Sequence, residues 1–575
     1  MLKSFLCLSL SLSLLGSRAY SEDKSDSARN ATANALHLLI STSPTQEDIV
    51  ALARLGDLQG ARNLIASLKN KEQKSSCNWI VGGIAADAAF KAGNLKLAEK
   101  EILSIKDRYS VARLWLRLSK KFEDKKELAE ARRIAFYAAS QTQKKRDSQY
   151  WPEITKQLSH LGENAAARRL LIAAQKDLLD PDPLWGSPLD PVIETAAACG
   201  FDDIAFKLKG SWTGGAVEAW AVQNRDDIAR RYINREVEAG VKQFEQFQLP
   251  NPNSGIEVTN SQARISLTLL NLWSLAEGQF KRNDIKATTA TFQEIDALMD
   301  ENSDARDWFD VRLKSLRFYE SNGQWALADA CLEAILHHLD KYGPILPNES
   351  FPRNEAAAKN AIFDVRVAAL DVISQPERFD LQQRETAFHR IKPLILEKVR
   401  DNPQVASHNL PKLARAQRMM GDSEWKVALD EALSAAMIVT KQKGEWLQLG
   451  IIGEQWFLAG EKDKARKVGE QALALWRQEF GRGKGTQLAD VLMMCGMFEE
   501  SMSLIVSNRP KEIWTRKYQW TKLAQIWKVA PPARLLGLPV KERHLALLGW
   551  GDGLTEKNEN DGDETAIGSV FEPVM

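Results

Sequence analysis

The stretch Gly93-Asn94-Leu95-Lys96-Leu97-Ala98 joins two segments whose apolar residues have helical spacing. Glycine readily takes the left-handed conformation that closes a helix, and the asparagine after it can cap the next helix. The alanine lies five residues after the glycine, inside the second helix, where a small side chain lets two helices approach closely. This stretch therefore predicts a helical hairpin whose two helices meet at Ala98.

The same pattern of a turn residue followed five positions later by a small residue recurs along the chain. Successive turns from Gly56 to Gly200 are spaced by 33 to 38 residues. Such a period is typical of helical repeat proteins, in which each unit buries its apolar face on its neighbours. The sequence predicts an all-α fold, a solenoid of stacked antiparallel helical hairpins in two or three segments. The pairs are Gly56/Ala61, Gly93/Ala98, Gly162/Ala167, Gly200/Ala205, Gly323/Ala328 and Gly460/Ala465, with looser forms at Lys126/Ala131, Asn224/Ala229 and Gly496/Ser501.

One unit resembles a known repeat family. Trp115-Leu116-Arg117-Leu118-Ser119-Lys120-Lys121-Phe122, followed by Ala131 and Ala138, resembles the tetratricopeptide repeat (TPR) pattern Trp-x-x-Leu-Gly-x-x-Tyr with later small residues. The repeats depart from that pattern, since most lack its closing proline, most are longer than the standard unit, and in this unit Lys126 replaces a turn glycine. The resemblance implies a TPR-like α-solenoid that binds a peptide or a partner domain in the groove of its repeats.

The composition is that of a chain that folds over most of its length. Its 575 residues include 44% hydrophobic and 27% charged residues. The 77 basic residues nearly balance the 76 acidic ones, which gives a net charge of +1. This balance gives no electrostatic argument for nucleic acid, so we expect no nucleic-acid partner.

The N-terminus has the features of a secretory signal peptide. Lys3 supplies a positive charge, residues 5–15 are mostly apolar, and Ser17-Arg18-Ala19 ends in a pattern that signal peptidases accept. We expect cleavage near Ala19, or alternatively after Ser21. No later stretch has the length and apolar character of a membrane span. The sequence thus predicts a soluble protein exported to the periplasm or the extracellular space.

Breaks in the repeat pattern divide the chain. Clusters of Pro and Gly near Asp180, Pro250 and Gly343 predict irregular connections. The predicted segments are a signal peptide (1–19), a flexible lead-in (20–33), TPR-like repeats (34–248), a linker (249–260), further repeats (261–342), a helical insertion of irregular register (343–420), TPR-like repeats with a C-terminal capping helix (421–530) and a disordered acidic tail (531–575).

Four cysteines outside the leader are widely separated and form no Cys-x-x-Cys pair. We interpret Cys77, Cys199, Cys331 and Cys495 as small core residues. A disulfide between Cys199 and Cys495 is the alternative, and it would require the solenoid to curl strongly.

Two groups stand out among the 17 tryptophans. Trp115, Trp151 and Trp456 occupy positions where the repeat needs a bulky core residue. Trp185 and Trp212 lie in irregular segments, so these two are the candidate partner-binding residues.

No catalytic, metal-binding or cofactor-binding set emerges from the sequence. His337 and His338 are adjacent, so on a helix they point about 100° apart and cannot share a metal as neighbours one turn apart can. Glu320-Ser321 and Glu349-Ser350 match the Glu-Ser pair of lytic transglycosylases, but the Gly-Leu-Met-Gln segment of that family does not follow either. We expect a protein-interaction scaffold that is not an enzyme. The alternative is an all-helical carbohydrate-active enzyme or glycan-binding protein, either an α/α toroid or lytic-transglycosylase-like.

Overall fold

The structure, a computed structural model, describes most of the chain. The described residues are 29–37, 44–105, 111–145, 150–178, 189–208, 214–247, 260–302, 308–342, 355–400, 402–479, 485–508, 513–527, 535, 538 and 540–555. Within these ranges the protein is all-helical and contains no β-strand. None of the helices in them is both long enough and apolar enough to cross a bilayer.

We number the helices in chain order. They are α1 (29–37), α2 (Gln46–Arg54), α3 (Leu58–Ser67), α4 (Lys71–Lys91), α5 (Leu95–Ser104), α6 (Val111–Asp124), α7 (Leu128–Lys145), α8 (Trp151–His160), α9 (Asn164–Leu178), α10 (Asp190–Ala198), α11 (Asp202–Ala205), α12 (Gly214–Val222), α13 (Asp226–Phe247), α14 (Asn260–Lys281), α15 (Ile285–Glu301), α16 (Trp308–Ser321), α17 (Trp325–Tyr342), α18 (Glu355–Val367), α19 (Leu370–Ser374), α20 (Leu381–Val399), α21 (Pro403–Met419), α22 (Trp425–Lys443), α23 (Leu447–Leu458), α24 (Lys462–Glu479), α25 (Gly485–Met494), α26 (Phe498–Asn508), α27 (Ile513–Trp527) and α28 (Val540–Thr555).

The helices form two compact units. Unit 1 combines the described helices before residue 115 with those after residue 394, and unit 2 holds those between, so α6 and α20 cross the two boundaries. Within each unit, neighbouring helices pair as hairpins, and the first helix of one hairpin packs on the first helix of the next. This arrangement is seen for α2 with α4 and α21 with α23 in unit 1, and for α8 with α10 and α12 with α14 in unit 2. It is the packing of a helical repeat solenoid.

The turn at Gly93 shows how each hairpin is made. Gly93 has φ +69°, its N–H donates to Phe90 O at 3.0 Å, and Asn94 N donates to Ala89 O at 2.9 Å. These two bonds satisfy carbonyls that the end of α4 would leave unpaired. The Asn94 side chain then caps α5 by accepting from the backbone of Leu97, and Ala98 is completely buried. The predicted role of this stretch is confirmed.

The recurrence of the turn is also confirmed. All nine predicted turn residues have positive φ, and all nine small residues five positions later are completely buried. The structure adds a tenth pair, Asn283 with φ 63° and the buried Thr288. Gly421 has the same left-handed conformation, but Lys426 follows it at the fifth position and is exposed. The helix after Gly421, α22, therefore does not bury a small residue at the fifth position.

The core of unit 1 contains residues from both ends of the chain. Leu36 and Ile49 belong to the same hydrophobic cluster as Trp520, Leu547 and Trp550. Each of these five residues is buried completely. The first and last described helices are thus parts of one core.

Two predicted segment limits are corrected. The lead-in was expected to reach residue 33, but helix α1 begins at residue 29 and buries Thr32 and Ala33. The tail was expected to be disordered from residue 531, but α28 is a helix that buries Ala546 and Trp550. The prediction of disorder rested on the acidic composition of the tail, but the apolar residues of α28 precede the run of acidic residues. The signal peptide and the linker residues 249–259 lie outside the described residues.

The core tryptophans are confirmed, because Trp115, Trp151 and Trp456 are no more than 4% exposed. All four cysteines are free thiols, so the structure contains no disulfide between Cys199 and Cys495. Cys77, Cys331 and Cys495 are buried as expected, whereas Cys199 is partly exposed.

The hairpin register can be tested at Ala98. Ala98 is completely buried, so Ala98→Trp forces a large side chain into a closely packed helix interface. We expect this substitution to lower the free energy of unfolding by about 1–3 kcal/mol or more. The neighbouring Leu97 is 42% exposed, and Leu97→Trp is the matched control, expected to change stability by less than about 0.5 kcal/mol. Thermal and denaturant unfolding would measure both, and equal effects would contradict the register.

Candidate functional site

The sequence singled out two tryptophans as candidate partner-binding residues. Trp185 and Trp212 both lie outside the described residues, as do the loop residues 343–354.

The paired histidines of α17 point in different directions, as the sequence predicted. His337 is exposed, whereas His338 is buried and stacks on Trp308 with the ring centroids 3.9 Å apart and the planes 11° apart. Burial lowers the pKa of His338 to about 4, and the positive charges of Lys341 and Arg312 act in the same direction. His338 is consequently a neutral packing residue near pH 7. No group of three or more His, Cys, Asp or Glu side chains within the described ranges could hold a metal ion.

Glu320, which begins one of the two Glu-Ser pairs, lies in a buried charge network of unit 2. Its side chain is 2% exposed, and its Oε1 atom lies 3.2 Å from Arg390 Nη2 and 3.6 Å from Arg366 Nε. Burial raises the pKa of Glu320, although the two arginines oppose that effect. Arg390 also pairs with Asp329 at 2.7 Å. Glu320 thus connects α16 to α18 and α20.

A groove lies between α22 and α24 of unit 1 and is the candidate binding site. Its volume is about 290 Å³. The residues from α24 have the spacing i, i+3, i+4 and i+7 that marks one helix face, and those from α22 lie within about one turn of each other. The lining residues are Leu433, Ser434, Met437, Gln471, Ala474, Leu475 and Gln478.

An ion pair marks one end of this groove. Asp430 Oδ2 of α22 lies 3.0 Å from Lys464 Nζ of α24, so the pair bridges the two helices. Asp430 precedes Ser434 by about one turn, and Lys464 precedes Gln471 by about two turns. The groove lies on the C-terminal side of this pair along both helices.

The groove offers apolar surface and one buried acceptor. Leu433, Met437 and Leu475 supply the apolar part, and methionine adapts its shape to different partners. Gln471 Oε1 is buried and accepts no hydrogen bond from any described residue. A buried acceptor without a donor costs about 1–3 kcal/mol, so a ligand N–H that reached Gln471 would be favoured. None of the seven lining side chains carries a charge, so a ligand in the groove would be held by apolar contacts and neutral hydrogen bonds.

Sequence reasoning did not identify this groove. The apolar spacing of α22 and α24 fits core packing and surface packing equally well, and a glutamine in a helix carries no functional signal of its own. The one available clue was that Met437, Gln471 and Gln478 fall on the same helix faces as Leu433 and Leu475.

The titration of His338 gives a test of the packing in unit 2. Because its pKa is lowered to about 4 from 6.5, the unfolded chain binds the proton more readily, and stability should fall as the pH drops from 6.5 toward 4. His338→Phe keeps a ring against Trp308 without a titrating group, so it should lose less stability over this range. Hydrogen exchange of α16 and α17 would measure the difference, with His337→Phe as an exposed control. Parallel losses in the wild type and His338→Phe would contradict this assignment.

Comparison with known proteins identifies no family. No family model matches the chain, and no curated protein matches it. Among solved structures, the chain is similar to a protein described as a circular tandem repeat protein with novel repeat topology and enhanced subunit contact surfaces. The identity is 10%, the match covers 92% of this chain and 96% of that chain, and the TM-score is 0.12. At that TM-score the likeness carries no argument about fold or function. The assignment to a helical repeat fold rests on the hairpin packing described above.

Proposed function

We propose that the protein is an exported, TPR-like scaffold that binds a peptide segment of a partner protein in the groove between α22 and α24. The groove supports this proposal because it combines apolar side chains with the buried, unsatisfied Oε1 atom of Gln471. A peptide provides an apolar side chain that can pack on this surface and a backbone N–H that can donate to Gln471 Oε1. A volume of about 290 Å³ suits one or two side chains.

The spacing of ion pairs supports the TPR-like part of the proposal. Arg466 pairs with Glu500 at 2.9 Å, and Lys464 pairs with Asp430 at 3.0 Å; in both pairs the partners are 34 residues apart. This spacing equals the standard length of a tetratricopeptide unit, about 34 residues. Both pairs link successive hairpins over this part of unit 1.

The groove can be tested with peptides selected by display on the mature protein. Ala474 is an exposed lining residue, so Ala474→Trp should fill the groove and weaken peptide binding at least about tenfold. Gln471→Leu removes the acceptor and should weaken binding about tenfold, the effect of losing one buried hydrogen bond. Fluorescence anisotropy with labelled peptide would measure both.

Arg477→Trp is the matched control, because Arg477 is exposed on the same helix and does not line the groove. If peptides bound Ala474→Trp and Arg477→Trp with equal affinity, the groove would not be their binding site. If display selected no peptide and the mature protein bound glycans instead, the carbohydrate-binding alternative would be favoured.

Export rests on the N-terminal sequence. We expect the mature protein, recovered from the periplasm or the medium, to begin at Tyr20 after cleavage following Ala19. N-terminal sequencing would measure this, and replacement of Leu14 by Arg should retain the protein in the cell by interrupting the apolar run. Recovery of the unprocessed chain from the cytoplasm alone would disprove export.

A further inference from the structure

An ion pair connects the two ends of the described chain within unit 1. Asp48 of α2 and His544 of α28 are separated by almost the whole sequence, yet Asp48 Oδ1 lies 2.8 Å from His544 Nε2. The Asp48 side chain is 1% exposed and the His544 side chain 32% exposed. The carboxylate is therefore buried, and its cationic partner can be reached by solvent.

The other oxygen of Asp48 is already occupied. Asp48 Oδ2 accepts from the backbone N–H of Thr45 at 2.9 Å, as part of the capping box that begins α2. This bond fixes the carboxylate in place, so Oδ1 is directed at α28. A buried carboxylate without a partner is costly, so α2 depends on His544 for the remaining neutralisation.

Helix α28 is itself held against α27. Trp520 Nε1 donates to Glu542 Oε1 at 2.9 Å inside the core. A Cβ atom on Gly549 would lie 2.5 Å from the Trp520 Cβ and 2.8 Å from Lys517 O, so the two helices pack in close contact. The C-terminal hairpin α27–α28 thus presents His544 to α2 as one element.

Among the described side chains, the charged groups around His544 do not supply a substitute partner for Asp48. Glu542 accepts from Trp520, and Arg543 donates to Leu538 O at 2.9 Å. Glu47 on α2 adds a second negative charge that favours a protonated His544. Cys77 of α4 is buried, and burial raises the pKa of its thiol, so it stays neutral.

We propose that the contact between α2 and α28 is a pH-dependent clasp, strong while His544 carries a proton and weakened when His544 loses it. The clasp uses none of the residues of the α22–α24 groove, so it is independent of the proposed function. Weakening it would loosen the terminal hairpins from each other and leave the rest of the repeat array folded.

The direction of the pH dependence follows from the two groups. The Asp48 carboxylate raises the pKa of His544 despite the opposing effect of burial. Burial acts to raise the pKa of Asp48, but His544 and Thr45 outweigh it and the net direction is down. The ion pair therefore stabilises the contact between α2 and α28 fully from just above the lowered pKa of Asp48 up to the ordinary pKa of histidine. This stabilisation is lost as the pH rises through the raised pKa of His544.

Hydrogen exchange of the full-length mature protein would test the clasp, with protection factors corrected for the intrinsic effect of pH. Between about pH 6 and pH 9, the protection of α2 and α28 should fall about tenfold for each unit by which the pKa of His544 exceeds its ordinary value. The helices α12 and α14 of unit 2 serve as the internal control and should keep their protection.

Two variants separate the charge from the packing. His544→Gln cannot be protonated, so α2 and α28 should already show low protection at the acidic end, with little further change. His544→Lys keeps a positive charge to higher pH, so it should restore protection and shift its loss upward. The proposal is overturned if wild type and His544→Gln give the same pH profile, or if His544→Lys is as weakly protected as His544→Gln.

Discussion

The left-handed turn between the two helices of a hairpin is the constraint on which the rest of the structure depends. It reverses the chain within a few residues and satisfies the last carbonyls of the first helix through backbone bonds. The buried small residue five positions later then sets how closely the two helices approach. Lys126, Asn224 and Asn283 adopt the same conformation at a cost of about 1 kcal/mol each relative to glycine. Side chains other than alanine fit when they find a local acceptor, since Ser501 Oγ donates to Ala489 O at 2.8 Å.

Charged residues serve two different purposes between the hairpins. Exposed pairs such as Asp430 with Lys464 contribute about 0–1 kcal/mol each, so their main effect is on the spacing of adjacent hairpins. The buried Glu320 in unit 2 is different, because its charge is compensated by two arginines and removing both would leave it buried without a partner. The exposed pair of Asp430 and Lys464 lies beside the groove between α22 and α24. The buried Glu320 instead connects α16 to α18 and α20.

Unit 1 shows how the ends of this repeat array are covered. The terminal hairpins of a solenoid have one apolar face without a neighbouring repeat, and many repeat proteins give these hairpins a polar outer surface. Here α1 and α2 share a hydrophobic cluster with α27 and α28, so the two ends bury part of each other's apolar surface. The pair between Asp48 and His544 adds a polar contact to this core. The contact between the ends is thus both hydrophobic and dependent on one titrating group.

The sequence by itself determined most of the helices, nine of the turns and the pairing of the helices that these turns join, because these depend on residues within one hairpin. Apolar spacing fixes which face of a helix is buried, and a left-handed residue fixes where the chain reverses. The pair Asn283 and Thr288 was missed because both residues differ from the glycine and alanine of the pattern. Only the tertiary structure decided that α28 is ordered, that Asp48 meets His544 and that Gln471 lines a groove. Each of these features depends on contacts between hairpins or between distant parts of the chain, and such contacts leave no periodic signal in the local sequence.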